Sequence, residues 1–405
     1  MVLRMYRYRI YPSSKQRSHL LSQFSICKDV FNQLLGEQKK IFITNKYDFN
    51  ALVRDIKLTA PQHYAQVYSQ VLQNVGDRVV KALENFFRRV QEKKAGKKIK
   101  AGFPRFKTRV QSITYPQSGF KFTGQRRLQV SKVGAIPIVL HRMMKGKIKT
   151  MTIKRNSTNQ WFAVFACDIP EEKKPVAPAL PVGIDVGLTH FATLSNGERI
   201  ENPRHLNHAL AKLRKAQRRL SRKQKGSRNR EKARLRVARI HNDISNCRID
   251  FLHKTSNSLT AKYSSLFFEN LSIKEMMKTR KYSRSIADAG WYTFRQFLTY
   301  KAVTRGGQAV PVIAKNTTQG CSRCGAIVPK GIEVRVHSCS CGLVMDRDHN
   351  AAINILNGVR LDEPELTPVE TRPLPFLRET VSCVAEAGTT RQRASTPMLD
   401  GSLPL

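Results

Sequence analysis

The spacing of apolar positions changes several times along the chain, and each change marks a part. From residue 2 to 11, Tyr and Arg dominate an alternating run that Pro12 stops, which predicts a short strand. After Ser13-Ser14-Lys15-Gln16, Leu20, Leu21, Phe24, Cys27, Val30, Phe31, Leu34 and Leu35 recur at helical spacing. Helical pattern resumes over 50–58 and again over 62–92, where Val71, Leu72, Val75, Val79, Leu83, Phe86, Phe87 and Val90 form one stripe. The stripe reads as core. Its polar edge, Gln70, Gln73, Asn74 and Arg78, is available to face a groove.

Residues 93–109 are rich in Lys, Gly and Arg and read as a basic loop. From 110 to 170 the pattern is short strands and turns, with strands expected at 120–122, 127–130, 136–140, 147–154 and 161–169. Such a series predicts a small barrel or curved sheet. The first strand would complete it, which makes the helices an insertion. Pro170, Pro175 and Pro178 mark an extended linker and a domain boundary.

Beyond the linker, strands are expected at 182–188 and 190–194, and Ser195-Asn196-Gly197 closes the second with a tight hairpin turn. Residues 205–260 read as two helices broken near Gly226-Ser227. An apolar strand at 263–268 ends at Glu269, followed by a polar stretch, a helix at 291–300 and a strand at 310–314. A last helix runs from Asp348 to Leu356 and is expected to stop at Gly358. Residues 361–405, rich in Pro, Thr, Ser and Glu, have no periodicity and are expected to be disordered.

Charge narrows the function. The chain carries 72 Lys and Arg against 29 acids, a formal net of +43. A field of this size gathers polyanions, and each phosphate neutralised releases condensed counterions. The density peaks between 211 and 240, with fourteen basic residues and the single acid Glu231. A solvated surface hairpin is the plain reading of that stretch, and phosphate contact is the favoured one. No apolar stretch approaches a membrane span, and no signal peptide is visible. A cytoplasmic protein without a membrane partner is therefore expected.

Three acids stand in apolar settings that could bring them to one point. Asp185 lies between Ile184 and Val186, Glu269 follows Phe267-Phe268, and Asp348 precedes Ala351-Ala352. Separately, each has a plain reading: a turn acid, a strand-end surface acid and a helix cap. Together they suit phosphodiester cleavage, in which carboxylates hold two Mg²⁺ ions that clamp the attacking and leaving oxygens. Asp346 competes with Asp348 for the third place, and spacing does not separate them. Cys321-Ser322-Arg323-Cys324 and Cys339-Ser340-Cys341-Gly342 form paired knuckles for a structural Zn²⁺. The second pair is one residue tighter than usual, so His337 is the substitute should one thiol fall out of reach. Cys27, Cys167, Cys247 and Cys383 read as core or incidental thiols.

These motifs resemble the TnpB family, RNA-guided nucleases of insertion sequences related to the compact type V CRISPR effectors. The resemblance covers about residues 1–358. It rests on Gly183-Ile184-Asp185-Val186-Gly187, Phe268-Glu269-Asn270-Leu271, Thr318-Gln319-Gly320-Cys321-Ser322-Arg323-Cys324-Gly325 and Asp346-Arg347-Asp348-His349-Asn350-Ala351-Ala352, with Gly102-Phe103-Pro104-Arg105-Phe106-Lys107 beside them. It implies a multidomain α/β plus β-barrel protein. An oligonucleotide-binding-type, wedge-like barrel would span 1–12 and 93–174, with a helical recognition insertion at 13–92. An RNase H-like (RuvC) nuclease domain would span 175–360, carrying the basic hairpin 205–260 and the zinc module 316–345. It implies Asp185, Glu269 and Asp348 as catalytic Mg²⁺ ligands, a guide RNA, and double-stranded target DNA beside a short flanking motif that Gln73 helps to read. Asn74, Arg105, Lys107, Arg218, Arg219, Arg222 and Lys223 are expected to touch nucleic acid. The rival readings are an RNA-guided DNA-binding regulator, a transposase that processes DNA strands without RNA, and a zinc-ribbon scaffold without catalysis.

Overall fold

In the computed structural model, which describes residues 2–40, 46–124, 126–170, 180–278, 282–313, 316–331 and 333–361, the chain divides into two units, Met1–Glu172 and Lys173–Leu405. Most of the linker, the whole stretch beyond 361, and Cys383 lie outside the described residues.

In the first unit, strand β1 (Val2–Ile10) is followed by helices α1 (Ser14–Lys40), α2 (Lys46–Thr59), α3 (Pro61–Tyr64) and α4 (Ser69–Lys94). Ser13 and Gln16 start α1 as a capping box: the Gln16 amide donates to Ser13 Oγ at 3.3 Å, and the Ser13 amide donates to Gln16 Oε1 at 3.0 Å. The continuous helical pattern expected over 62–92 is broken. Pro61 opens a single turn that ends at Tyr64, and Tyr68, with φ −63° and ψ 130°, is extended before α4 begins. Strands β2 (Ser112–Pro116), β3 (Phe120–Phe122), β4 (Arg127–Val130), β5 (Gly134–Val139), β6 (Lys147–Arg155) and β7 (Trp161–Ile169) come next. With β1 they form one antiparallel sheet in the order β2-β6-β7-β1-β5-β4-β3.

The sheet curls almost into a barrel. Phe120 and Phe122 of the edge strand β3 meet Phe165 of β7, the first edge-on and the second tilted, at 6.0 and 5.4 Å between ring centres. The helices share the barrel's apolar core. Part of the polar edge expected on α4 is turned inward. Arg78 donates to the Ser112 carbonyl at 2.8 Å and to Thr114 Oγ1 at 2.7 Å, pinning α4 to β2. Gln70 accepts from Ser118 at 2.8 Å.

The second unit is built on a five-stranded sheet with helices on both faces. Its strands are β8 (Pro181–Val186), β9 (His190–Leu194), β10 (Arg199–Glu201), β11 (Ser265–Glu269) and β12 (Gln308–Val312), in the order β10-β9-β8-β11-β12. The first three pair antiparallel, while β8, β11 and β12 run parallel. Helices α5 (His205–Ser221) and α6 (Arg228–Lys262) form the basic hairpin, turned by Gly226 at φ +85°. Short helices α7 (Ile273–Met276) and α8 (Ser283–Ala289) lead into α9 (Trp291–Thr304). Hairpin β13 (Val336–Ser338) and β14 (Val344–Asp346) precedes α10 (Arg347–Leu361).

Alternation sorts the strands by face. Val182, Ile184, Leu266 and Phe268 enter the core shared with α6 and α9. Gly183 and Asp185 therefore face the other way, toward α10. Helix α10 runs past Gly358, where the sequence suggested a stop. That glycine stays inside the helix, and the place of its missing side chain is 3.7 Å from Val312 on β12.

Gly183 has no such room. A Cβ there would fall 2.1 Å from the Ala352 carbonyl oxygen and 2.9 Å from the Leu356 amide nitrogen. Both are backbone atoms of a packed helix and cannot swing aside. Gly183→Ala is expected to lower stability by about 3 kcal/mol. At Gly36, inside α1 with nothing within 4 Å, Ala should instead raise stability by about 0.5–1 kcal/mol. Thermal melts of the two variants check both signs.

Candidate active site

Strand register brings two of the three acids together. β11 runs parallel to β8 with Phe268 opposite Ile184, so Glu269 falls level with Asp185 one strand away. Adjacent strands are about 4.8 Å apart, and both residues have the parity that faces α10. Both are also buried, at 7% exposure each. The site thus lies at the carboxyl ends of parallel strands, where open α/β sheets place their ligands.

Both candidates for the third acid stand at the start of helix α10, and the two have different surroundings. One oxygen of Asp346 accepts from the amides of Asp348 and His349, both at 3.0 Å, so it caps the helix. Its other oxygen pairs with Arg199 at 3.2 Å. Asp348, in the first turn, acts on Asp185. Burial pushes the Asp185 carboxyl well above its usual range, and the charges of Glu269 and Asp348 push it further. Arg347 and the Val186 backbone pull it partly back. Burial also raises Glu269, opposed by a hydrogen bond from the Thr317 hydroxyl. Arg347 holds Asp348 through Nε at 3.2 Å and Nη2 at 3.1 Å, and Arg335 approaches it at 3.8 Å.

Arg347 is the cation that relieves the repulsion at Asp185 among the described residues. Carboxylates converging in a buried place with so little compensation suit a hard divalent cation with oxygen ligands, such as Mg²⁺. Among the described residues, however, only the cysteines are already drawn close enough to hold an ion as they stand.

The four thiols of Cys321, Cys324, Cys339 and Cys341 lie within 4.8 Å of one another. Cys321 is 3.6 Å from Cys341, and Cys324 is 3.5 Å from Cys339. Zinc–sulfur bonds of about 2.3 Å place tetrahedral sulfurs about 3.8 Å apart, so the residues fit Zn²⁺. The shortened second knuckle reaches the cluster. His337 is not needed as a ligand; it is fully buried beside the cluster, with Nδ1 on Lys330. Burial resists ionisation of Cys321, but the amides of Cys324 and Arg323, with His337 and Cys341, outweigh it and draw the thiol down to about 5.

The expected nucleic-acid residues are dispersed. Arg218, Arg219, Arg222 and Lys223 are exposed on and just after α5. In the other unit, Gln73 is exposed and lines a cavity of about 340 Å³ between α2 and α4, with Tyr47, Asn50, Arg54, Lys57 and Ser69, while Asn74 is half-buried beside it in sequence. Arg105 is exposed. Lys107 is engaged internally: its backbone pairs with the Asn32 side chain at 2.8 and 2.9 Å, and its ammonium sits 3.4 Å from the centre of the Phe31 ring.

Sequence reasoning passed over Thr317, Arg347, Asn350 and Asn354. Asn350 and Arg347 stand inside a motif already singled out, but Thr317 and Asn354 are ordinary polar residues in a loop and a helix.

A protein of Streptomyces pristinaespiralis, provisionally named an RNA-guided DNA endonuclease, is 34% identical over 88% of this chain and 89% of its own length. The chain belongs to the TnpB family. A second TnpB-family relative, InsQ of Escherichia coli K12, carries the same provisional description and is 31% identical over 80% of this chain and 83% of its own. The family profile described as "Probable transposase" matches residues 164–280, and one described as "Cas12f1-like, TNB domain" matches 291–355. A profile described as "Helix-turn-helix domain" matches 1–46, where the described residues of this TnpB-family chain include strand β1 and the long helix α1. The Cas12f1 chain of a cryo-EM complex with sgRNA and target DNA aligns with a TM-score of 0.52 at 15% identity, over 88% of this chain and 99% of that one. That is a likeness of fold.

The electrostatics of Asp185 predict a stability cost. Its folded pKa is raised above the ordinary value of 3.8. Its contribution to stability is therefore complete below that pH and is lost as pH rises toward the folded pKa. Without added Mg²⁺, Asp185→Asn should melt higher than the wild type at pH 8, with the gap closing toward pH 4. Melting curves across that range, with and without Mg²⁺, check this; added Mg²⁺ should raise the wild type and leave the variant unmoved.

Proposed function

We propose that this protein is an RNA-guided DNA endonuclease associated with a transposon, cleaving target DNA next to a short flanking motif with Mg²⁺. The observation that carries the reading is the level placement of Asp185 and Glu269 on one face of the sheet, with Asp348 acting on Asp185 from α10. The strand order, three antiparallel strands followed by two parallel to the centre, sets the carboxyl ends of β8 and β11 side by side. The provisional names of the two relatives agree with it.

In this reading Asp185, Glu269 and Asp348 hold Mg²⁺, and the cysteine cluster holds a structural Zn²⁺. When bound, the Mg²⁺ ions would activate a water and stabilise the leaving 3′ oxygen. The protein's own part is to fix the three carboxylates on a rigid sheet and helix. Arg347 balances part of their charge before an ion arrives. The exposed cations of α5 would neutralise backbone phosphates of guide RNA or heteroduplex, which the protein recognises by shape. The barrel formed by 1–12 and 93–174 would act as the wedge. The helices of 13–92 would act as the recognition insertion, with Gln73 and its cavity toward the flanking motif.

The profile description "Probable transposase" keeps one rival in view, a strand-processing enzyme that needs no RNA. The discriminating experiment uses the purified ribonucleoprotein and a plasmid matching the copurified RNA. Cleavage is expected with Mg²⁺, and it should vanish in Asp185→Ala and after RNA is removed. Cutting that survives complete RNA removal would reject guidance. Binding of the matched plasmid without any Mg²⁺-dependent cutting would favour a regulator.

A further inference from the structure

The acids and the cysteine cluster are joined by one short segment. At one end the Thr317 hydroxyl donates to Glu269 Oε1. At the other, Cys321 enters the four-sulfur cluster. Between them the backbone is held on α10 by two asparagines one helical turn apart. Asn354 Nδ2 donates to the carbonyls of Thr317 at 2.8 Å and Gly320 at 2.7 Å. Asn350, fully buried, donates to the Gly320 carbonyl at 2.7 Å and accepts from the Ser322 amide at 3.0 Å. The same helix presents Asp348 two residues before Asn350.

We propose that Thr317 is a positioning residue for Glu269, and that segment 317–322, clamped to α10 by Asn350 and Asn354, makes divalent-ion binding at the acids depend on zinc at the cysteines. This rests on the metal-site reading under Proposed function. A carboxylate has two oxygens. Thr317 occupies one, which fixes the rotation of the group and leaves the other aimed at an ion. A partner of this kind, one shell out from the metal, is commonly worth about 10- to 100-fold in metal affinity. The chain of contacts also has no slack. Three residues separate Thr317 from Cys321, and the amides of buried Asn350 and half-buried Asn354 have their partners on that segment. Opening the knuckle would release Cys321, then the Gly320 and Ser322 contacts, then Thr317.

The test uses Mn²⁺ as the probe, with free Mn²⁺ read by electron paramagnetic resonance in the full-length, zinc-loaded protein. Thr317→Val should weaken Mn²⁺ binding about tenfold, and Thr317→Ser, which restores the hydroxyl, should stay within about twofold of wild type. Both should melt at the wild-type temperature. In cleavage, Thr317→Val should raise the Mg²⁺ concentration for half-maximal rate while leaving the rate at saturating Mg²⁺ nearly unchanged. In protein stripped of metal and back-titrated, Mn²⁺ should bind about tenfold more tightly with one equivalent of zinc than without.

Wild-type Mn²⁺ affinity in Thr317→Val, or equal weakness in Thr317→Ser, overturns the positioning role. Equal Mn²⁺ affinity with and without zinc overturns the coupling. Asp185→Ala separates the two levels. If it still binds Mn²⁺ normally, the metal-site reading fails as a whole; if it loses Mn²⁺ while Thr317→Val does not, only the inference about Thr317 fails.

Discussion

Helix α10 lies on β8 backbone against backbone, and the candidate site depends on that contact. At Gly183 the helix comes so near that no side chain fits beneath the Ala352 carbonyl. Ala351, Ala352 and Ile355 complete the approach with fully buried small or branched side chains. Because the helix is pressed so close, its first turn ends beside the carboxyl ends of the parallel strands. Asp348 then acts on Asp185, two residues beyond the glycine on the same face. His349 ties the same turn to the neighbouring hairpin through the Ser195 carbonyl at 3.2 Å.

The consequence is a site at odds with folding. Burial and mutual repulsion both oppose charge on Asp185, and among the described residues Arg347 and a backbone amide relieve it in part. Active sites are where such conflicts concentrate, since a carboxylate comfortable in the free protein would gain little from an ion. The rest of the unit supplies rigidity to compensate. On the far side of the sheet Phe191 of β9 packs edge-on against Phe294 of α9 in a core that also holds Trp291. Asp288 links α5, α6 and α8: it pairs with Arg248 at 2.7 Å and accepts from the Leu206 amide at 2.9 Å. The basic hairpin is thereby anchored at its base while its cations stay in solvent.

Some residues turned out to serve the fold where the sequence pointed to surface work. Arg78 and Gln70 looked like the polar edge of a groove and instead fasten α4 to the barrel side of its unit. Lys107, in a loop of basic residues, spends its charge on the face of Phe31. Periodicity shows which positions are polar, but not whether a polar group faces water or a carbonyl across a packed layer.

What the sequence by itself determined is what depends on neighbours along the chain. That includes the alternation of the strands, the capping box of α1, the turn at Gly226, the paired knuckles, and the apolar surroundings of Asp185 and Glu269. Only the tertiary structure decided what depends on approach between distant segments. It made Asp346 the cap, set Asp348 to act on Asp185, carried α10 past Gly358, gathered four thiols with His337 beside them, and brought Thr317 to Glu269. The physical reason is range: turns, caps and periodicity are set within a few residues, whereas register and helix–strand contact are set by packing between segments that lie far apart along the chain.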